Sequence, residues 1–514
     1  MEHFIDEKTV MRFYLECMGK DEIVFLQGKD ELKTSIRKAL EALIEESKMN
    51  NKIQIATGLW KNLFEAAMSR LSSNKKGYDK IFKYFDSYVE FEELIFASDS
   101  FYRDHTLHCL WVYFLGEYLY RNPEFSELYR LKEDVKKSHK MIETLAAGLN
   151  VVDGIDAKAL KQVLELERRL DDLQDATRCI AALTHDLGYP LKKIEKINKS
   201  INKVLPYFAI NNFENFSFEY ENIQQEFVNR FIDFISRRAT ININPKEDLP
   251  KEAYAVLDKV GNSSKFKDEA VSSIIDELDS LSEKEKELIR GCFEVKVLFH
   301  APFGQAVSYY NDFEAYQHGI MSAFLLMKNM QAFQEIDYCV PGSLTPLPNA
   351  TAFSLHTILS SISDHTSDSY RIDHIDDDSF LTFVDELEEF SRISRASQNR
   401  EYVEEFCDTA LYMEDGWLNV VFEFNNTNLD NLDPEISFKG RCKRFLSLFD
   451  IENLDKYLKI RVTIVGKLPT DQNEYVLEIA RNYADIRING ESKNIPKYLK
   501  STQFLTKEEY SRNA

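Results

Sequence analysis

The stretch Ala181–Pro190, AALTHDLGYP, places a histidine and an aspartate side by side where an apolar helix ends. The alanines and the leucine favour a helix, and Gly188 and Pro190 mark its end. Burying an unpaired charge is costly, so a pair in such apolar surroundings needs something to satisfy it. His185-Asp186 is therefore either a capping or hydrogen-bonded core pair, or part of a metal site.

The dipeptide alone does not decide between these interpretations. The chain has 514 residues, of which 10 are histidine and 86 are acidic. Chance then gives 10 × 86/514, or about two, histidine–acid dipeptides. A metal site therefore requires further residues of the metal-ligand type elsewhere in the sequence.

The composition describes a folded, acidic chain. A length of 514 residues predicts roughly two to four domains, and 44% hydrophobic residues suffice for sizeable cores. The formal net charge of −22 repels a phosphate backbone, so long nucleic acid is not an expected partner. Small anionic substrates stay compatible with this charge, because a metal ion can supply the positive charge that they need.

The sequence carries no sign of export or of membrane insertion. The N-terminus, MEHFIDEKTV, is acidic and lacks the apolar run of a signal peptide. The most apolar stretches, such as Leu110–Gly116, are far shorter than the ~20 residues of a membrane span. The seven cysteines are dispersed and never in CxxC spacing, which argues against disulfides and a zinc ribbon. We expect a cytoplasmic protein.

Three regions differ in their sequence patterns. Residues 1–95 are predicted to be helical, and residues 96–400 form a helical core with an insertion at 195–295 that could close over a substrate. Residues 405–514 contain the β-like runs LNVVFEF and YLKIRVTIVG, which predict a small α+β module. The predicted fold class is mainly α, with a helical insertion and this C-terminal module.

Four further residues of the metal-ligand type lie in apolar helical segments. They are His108 in DHTLHCLWVYFLG, His318 in YQHGIMSAFLLM, His356 in AFSLHTILSSI and Asp385 in SFLTFVDELEEFSR. Each histidine taken singly is better explained as a hydrogen-bonded core residue, but together with His185-Asp186 the set favours a metal site. Another histidine, His365, lies in a polar stretch and is expected at the surface.

The residue types in this set indicate which chemistry a site would support. Imidazole and carboxylate ligands suit divalent Mn, Fe, Zn or Mg, and the absence of cysteine disfavours a thiolate site. Such ligands on packed helices can hold one or two ions. Bound ions activate water and neutralise charge on phosphoryl oxygens, which is the chemistry of phosphoester and phosphoanhydride hydrolysis.

The order H…HD…H…H…D resembles that of the HD superfamily of metal-dependent phosphohydrolases, over roughly Phe101 to Arg395. The resemblance implies an HD-type helical core. The residues that it assigns to a first metal ion are His108, His185, Asp186 and Asp385. The pair that would complete a second ion site or position the nucleophile is His318 and His356. The residues with catalytic roles would then be His185, Asp186, His318 and His356.

Several cationic residues near these segments could contact a substrate phosphate. His105 lies three residues before His108 on the same helix face and competes with it as the first ligand. The other candidates are Arg103, Lys192, Lys193 and Arg392. Each of these four taken singly is better explained as a solvated surface cation or an ion-pair partner. Many family members have a lysine or a glycine-histidine run where this chain has Tyr189-Pro190, so no role is carried over to those positions.

Two substrate classes compete within this family. The chain length, the insertion and the accessory module favour a deoxynucleoside triphosphate triphosphohydrolase, whose relatives often form homo-oligomers and respond to nucleotide effectors. The second histidine pair favours instead a binuclear hydrolase of cyclic or dinucleotide phosphodiester signals. We place the triphosphohydrolase first. Either activity could serve nucleotide control or defence against phage.

The alternative from another class is a nucleotide-binding sensor that has lost turnover. All six predicted ligands are present, which argues against it, because a degenerate site usually loses some. The sequence has neither a G-x-x-x-x-G-K-[ST] loop nor a G-x-S-x-G elbow, so kinase and serine hydrolase functions have little support.

Overall fold

The computed structural model describes residues 3–96, 101–129, 155–208, 222–245, 251–259, 282–289, 293–300, 303–335, 350–390, 392–394, 404–405, 407–427 and 433–500. Over these residues the chain is mostly helical and carries a seven-stranded sheet, most of whose strands lie near its C-terminus. The prediction of a mainly α fold is confirmed at this level. Within the predicted insertion, residues 209–221, 246–250, 260–281 and 290–292 lie outside the described residues.

The described residues contain helices in the N-terminal region, in the middle of the chain and in the C-terminal region. Those of the N-terminal region are α1 (Glu7–Gly19), α2 (Asp30–Glu45), α3 (Met49–Leu71) and α4 (Tyr78–Phe96). Those of the core are α5 (His105–Arg121), α6 (Ile155–Thr184), α7 (Tyr189–Val204), α8 (Asn222–Ile235), α9 (Lys251–Lys259), α10 (Glu283–Ile289), α11 (Phe303–Glu314), α12 (His318–Asn329), α13 (Gln331–Gln334), α14 (Ala350–Asp364) and α15 (Asp377–Leu387). The C-terminal region adds α16 (Pro434–Leu448) and α17 (Ile495–Lys500). None of the described helices combines the length and the apolar character that a bilayer crossing requires.

The described strands form one large sheet and two small ones. The large sheet has the order β1-β7-β8-β9-β10-β11-β12, with β1 (Phe4–Ile5), β7 (Asp408–Glu414), β8 (Trp417–Phe424), β9 (Ile460–Gly466), β10 (Glu474–Ala480), β11 (Tyr483–Ile488) and β12 (Glu491–Lys493). The small sheets contain β2 (Phe101–Arg103), β5 (Arg392–Ser394) and β6 (Glu404–Glu405), and β3 (Arg238–Pro245) and β4 (Phe293–His300).

The large sheet joins the two ends of the chain. The predicted β-like runs form β8 and β9, which pair in parallel, and α16 lies in the connection between them, as a parallel pair requires. Helix α16 packs on β9 and β10. The short strand β1 pairs with β7, so residues before the first helix belong to this C-terminal sheet. The region predicted as a helical lead-in therefore also contributes a strand.

Helix α6, which ends directly before His185, lies at the centre of the helical core. Helices α3, α5 and α14 pack against it, and α12 and α15 pack in turn against α14. Its last turns are apolar, and Cys179, Ile180 and Leu183 are fully buried. The burial of such side chains stabilises this end of the helix by about 1.5–3 kcal/mol for each large aliphatic residue. The doublet His185-Asp186, which follows this helix, is consequently buried as well.

Two aromatic side chains of the N-terminal helices hold the turn that carries the doublet. The indole Nε1 of Trp60, in α3, donates a 2.7 Å hydrogen bond to the carbonyl oxygen of Leu183. The hydroxyl of Tyr84, in α4, donates a 2.5 Å hydrogen bond to the carbonyl oxygen of Leu187. The last carbonyl groups of a helix lack partners within it, so the bond from Trp60 satisfies one at the end of α6, and the bond from Tyr84 holds the turn that follows. The N-terminal helices thereby fix the position of His185-Asp186.

Candidate metal centre

Asp186 lies at the middle of a buried histidine cluster, and its two carboxylate oxygens face different pairs of rings. Its Oδ2 lies 3.5 Å from the Nε2 of His185 and 3.6 Å from the Nε2 of His108. Its Oδ1 lies 3.2 Å from the Nε2 of His318 and 3.7 Å from the Nε2 of His365. One carboxylate thus lies between two histidine pairs.

Asp385 supplies a second carboxylate to the same cluster. Its Oδ1 lies 2.8 Å from the Nε2 of His108 and 3.8 Å from the Nε2 of His185. Helix α15 presents it, and this helix begins at a capping box in which Asp376 accepts a hydrogen bond from the backbone of Ser379 and the Ser379 hydroxyl accepts one from the backbone of Asp376. The capping box fixes the start of the helix two turns before the carboxylate.

A buried glutamate orients His108. The Nδ1 of His108 lies 2.5 Å from the Oε2 of Glu388, and both side chains are fully buried. A carboxylate on one ring nitrogen holds the proton there and leaves the other nitrogen free to bind a metal ion. The Nε2 of His108 therefore points toward Asp186 and Asp385, where it could bind a metal ion together with them.

His185 and His365 are oriented by the ends of the helices that precede them. The Nδ1 of His185 lies 2.7 Å from the carbonyl oxygen of Ala182, and the Nδ1 of His365 lies 2.5 Å from the carbonyl oxygen of Ile362. Both histidines directly follow the last residue of a helix, α6 and α14 respectively, and both use the carbonyl three residues earlier. The same local geometry thus turns both Nε2 atoms toward Asp186.

Burial sets the charge states of the cluster. Desolvation lowers the pKa of His185 to about 4, although the charge of Asp186 opposes it. Desolvation also lowers the pKa of His318. Desolvation raises the pKa of Asp186, but the charge of His185 and a hydrogen bond from His318 outweigh it, so this pKa lies well below its usual range. Near neutral pH His185 and His318 are therefore neutral imidazoles and Asp186 is a carboxylate, the forms that bind metal ions.

The donor atoms fit a metal ion. The buried Nε2 of His365 has no hydrogen-bond partner among the described residues, and its 3.7 Å separation from Asp186 is too long for a hydrogen bond. Leaving such a nitrogen unsatisfied costs about 1–3 kcal/mol, which a metal ion would offset. Three overlapping groups have ligand atoms within 4.8 Å of one another: His108, His185 and Asp186; His185, His365 and Asp385; and Asp186, His318 and His365. This buried cluster can hold a metal ion.

The structure places five of the six predicted ligands in the cluster and replaces the sixth. The predicted residues that come together are His108, His185, Asp186, His318 and Asp385. His356 is not among them, because it lies in the middle of α14, nine residues or about 13 Å along the helix from His365. Its ring packs against Phe234, with 5.2 Å between ring centroids.

The prediction that His365 is a surface residue is wrong. Its side chain is 2% exposed, because α14 buries nearly all of its second half against α6 and α12. The residues directly before His365, SSISD, are mostly small and polar, unlike the run AALT before His185, so hydropathy gave no signal for this position.

His105 lies beside the cluster rather than in it. Its Nδ1 is 2.9 Å from the Oε2 of the fully buried Glu92, and its ring is 6.3 Å from that of His108 between centroids. The ring of Tyr189 lies against it at 3.9 Å. Of the two competing histidines, His108 is therefore the one that faces Asp186 and Asp385, while His105 forms a separate pair with a glutamate.

The remaining candidates for phosphate contacts lie around the doublet and before α5. The Nζ of Lys192 donates a 3.3 Å hydrogen bond to the carbonyl oxygen of Ala315, and the Nζ of Lys193 lies 4.6 Å from the centre of the Tyr189 ring. Arg103 and Arg392 are paired positions in the antiparallel backbone register of β2 and β5. Strand β2 ends one residue before the cap of α5, so Arg103 is close in sequence to the start of the helix that carries His108. The position of Arg392 is held near that point by the pairing of β5 with β2.

Comparison with known proteins gives no match: no family model, no curated protein and no solved structure is significantly similar to this chain. Membership of the HD superfamily accordingly stays a prediction from the residues themselves.

Proposed function

We propose that this chain is a metal-dependent phosphohydrolase that acts on small nucleotides through a binuclear centre. The observation that carries the proposal is the placement of Asp186, whose Oδ2 faces His108 and His185 while its Oδ1 faces His318 and His365. A carboxylate whose two oxygens face different histidine pairs could be shared by two adjacent ions. Bound divalent ions would lower the pKa of a water molecule and neutralise charge on phosphoryl oxygens.

The surrounding residues would keep this centre in one geometry. Glu388 and the carbonyl oxygens of Ala182 and Ile362 hold three imidazole rings by their Nδ1 atoms. The rings therefore need not reorganise when ions bind, which favours both affinity and a fixed position for the reacting water.

The pair of His105 and Glu92 would serve proton transfer. Hydrolysis forms a bond between a water oxygen and phosphorus and breaks the bond from phosphorus to the leaving oxygen, which must take up a proton. His105 is held by Glu92 through Nδ1 and adjoins the cluster without belonging to any of its ligand groups. A histidine in this setting can donate that proton, a role worth typically 10²–10⁴-fold in rate.

Of the two substrate classes, the geometry favours the phosphodiesters of cyclic or dinucleotide signals. Within the HD superfamily a second pair of histidines favours this class, and His318 and His365 form such a pair at the Oδ1 of Asp186. A deoxynucleoside triphosphate is the second candidate, and it still rests on the chain length, the insertion and the accessory module. The formal charge of −22 disfavours long nucleic acid in either case.

The test is a product analysis with the full chain loaded with Mn²⁺ or Fe²⁺. Cyclic dinucleotides, linear dinucleotides and deoxynucleoside triphosphates are incubated separately, and products are separated by anion-exchange chromatography. We expect cleavage of phosphodiesters to nucleotide products, loss of that activity in Asp186→Asn, and near wild-type activity in His356→Gln. Release of nucleoside and triphosphate would instead establish the second candidate. Metal-loaded protein that cleaves none of these compounds would overturn the proposal and favour a nucleotide sensor.

A further inference from the structure

The C-terminal module contacts the segment that carries Asp385 through two arginines of α16. The sequence at the end of α15 is Asp385-Glu386-Leu387-Glu388-Glu389, and Glu388 orients His108. Arg441 pairs with Glu389 and donates a 3.3 Å hydrogen bond to the carbonyl oxygen of Glu386. Arg444 pairs with the side chain of Glu386. Glu386 and Glu389 thus bind the module. They directly follow Asp385 and Glu388 in the sequence.

Arg444 also reaches a second element of the metal centre. Its Nε donates a 2.5 Å hydrogen bond to the Oε1 of Glu386, and its Nη2 donates a 3.3 Å hydrogen bond to the carbonyl oxygen of His365. Glu386 directly follows Asp385, and both Asp385 and His365 supply ligand atoms to one group of the cluster. The planar guanidinium therefore connects the two chain segments that carry these ligands.

Backbone hydrogen bonds hold the end of α16 and the residues that follow it against the loop between α14 and α15. The amide of Ile372 donates to the carbonyl oxygen of Leu448 at 2.8 Å, and the amide of Asp450 donates back to Ile372 at 2.9 Å. The amide of Asp455 donates to the carbonyl oxygen of Asp373 at 2.7 Å. The loop that joins the two ligand-bearing helices is thus paired with the module in a fixed register.

We infer that Arg444 is a positioning residue of the metal centre, and that the C-terminal module fixes the separation of His365 and Asp385 through it. The inference rests on the proposed function only in that the cluster must bind metal ions. A guanidinium has several donors in one rigid plane, so it can hold a carboxylate and a carbonyl group at a set distance. Lysine has one ammonium group on a flexible stem and would not reproduce this connection.

The test measures metal affinity, and a control variant separates an effect on the metal centre from general destabilisation of the module. The full chain is stripped with a chelator and titrated with Mn²⁺ by isothermal titration calorimetry, and the variant is Arg444→Gln. Residues that orient metal ligands typically contribute 10–100-fold to metal affinity, and we expect a loss in that range. Arg444→Lys should recover only part of it, because the lysine cannot bind both acceptors.

Arg461→Gln is the matched control. Arg461, in β9, also binds a glutamate and one further oxygen, namely the Oε1 of Glu478 at 2.8 Å and the Oδ1 of Asn419 at 3.1 Å. Its pairing lies within the sheet, so its loss should affect thermal stability to a similar degree while Mn²⁺ affinity stays at the wild-type value. Thermal unfolding of both metal-free variants shows that each is folded.

The outcomes separate this inference from the proposed function. Wild-type protein that binds Mn²⁺, together with Arg444→Gln that binds it equally well, overturns the inference and leaves the proposed function intact. An equal loss of affinity in Arg461→Gln also overturns it, because the effect would then follow general destabilisation of the module. Wild-type protein that binds no metal ion contradicts the proposed function itself. If Arg444→Gln does not fold, Glu386→Gln tests the same connection from the other side.

Discussion

Glu388 supplies no ligand atom to the cluster, yet its carboxylate sets the orientation of His108. The Oε2 of Glu388 lies 2.5 Å from the Nδ1 of His108, with both side chains fully buried. Replacing Glu388 with glutamine keeps the volume but removes the charge that stabilises the Nδ1 proton. We expect Mn²⁺ affinity to fall about 10–100-fold, as is typical when such partners are lost. Calorimetric titration of the metal-free variant measures this change.

Glu478→Gln is the control for that measurement. Glu478 is a buried carboxylate as well, but it binds Arg461 and Arg487 within the large sheet. The Glu478→Gln substitution should leave Mn²⁺ affinity unchanged. Equal affinity in the Glu388→Gln variant and in wild type would contradict the assigned role of Glu388.

At the residue level the sequence predicted the ligands that lie in apolar runs better than the one that lies in a polar stretch. His108, His185 and Asp385 stood out because each lies in a run of apolar residues that must be buried. His365 was missed because the residues around it, SISDHTSDS, are mostly small and polar, although those from Ser361 to His365 are buried. The hydroxyl groups of Ser361 and Ser363 donate to the carbonyl oxygens of Ile358 and Leu359, and the periodicity of hydropathy along a sequence does not detect polar residues that are buried in this way.

Among the elements, the approach of α12 to the end of α14 depends on a glycine. A Cβ atom at Gly319 would lie 2.3 Å from the carbonyl oxygen of Ile362 and 2.9 Å from the Cε1 of His365. Gly319→Ala would therefore push His318 and His365 apart. We expect it to lower the free energy of unfolding by about 1–3 kcal/mol, the usual cost of overpacking. Chemical denaturation measures the first effect, and a Mn²⁺ titration should show weaker binding.

Gly58→Ala serves as its control. Gly58 lies in α3, and a Cβ atom there would meet nothing within 4 Å. Alanine at an exposed helical position should raise stability by up to about 1 kcal/mol and leave Mn²⁺ binding unchanged. Wild-type stability and Mn²⁺ binding in Gly319→Ala would show that the two elements are not in the close contact described above.

The start of α15 contains a pH-dependent contact. His374 lies 2.5 Å from the Oδ1 of Asp373 and 3.3 Å from the Oδ2 of Asp376, and these bonds raise its pKa to about 10. Its stabilisation is therefore present in full below the unfolded pKa of about 6.5 and is lost as the pH rises through about 10. Since His374 is 40% exposed, we expect His374→Gln to cost only about 0.5–1 kcal/mol at pH 6.

Denaturation of wild type and His374→Gln at pH 6, 8 and 10 tests this expectation. The difference in unfolding free energy should shrink from pH 6 to pH 10, where the histidine is losing its proton in the folded state too. A difference that stays constant over this range would mean that charge plays no part in the contact.

The elements themselves were largely predictable, and their contacts were not. The β-like runs of the C-terminal region form β8 and β9, because alternating Val, Ile and Phe fit a sheet that is buried on one face. The two-residue strand β1 was not predicted, because so short a segment has no periodicity and is strand only by pairing with β7.

In the molecule as a whole, residues far apart in sequence support one centre. Trp60 and Tyr84 fix the turn of the doublet from the N-terminal helices, and Arg441 and Arg444 hold the segment after Asp385 from the C-terminal module. These contacts span from 52 to 123 residues along the chain. A single sequence carries no sign of such pairings, so the roles of both flanking regions could be seen only in the structure.

The measurement that tests the account most directly is the metal content of purified protein by elemental analysis after reconstitution with Mn²⁺. The full chain is compared with Asp186→Asn, His365→Gln and His356→Gln. We predict about two ions per chain for wild type and His356→Gln, a reduced content for His365→Gln, and loss of both ions for Asp186→Asn, because this carboxylate lies between both histidine pairs. Wild-type protein without metal, or loss of metal in His356→Gln but not in His365→Gln, would contradict the account.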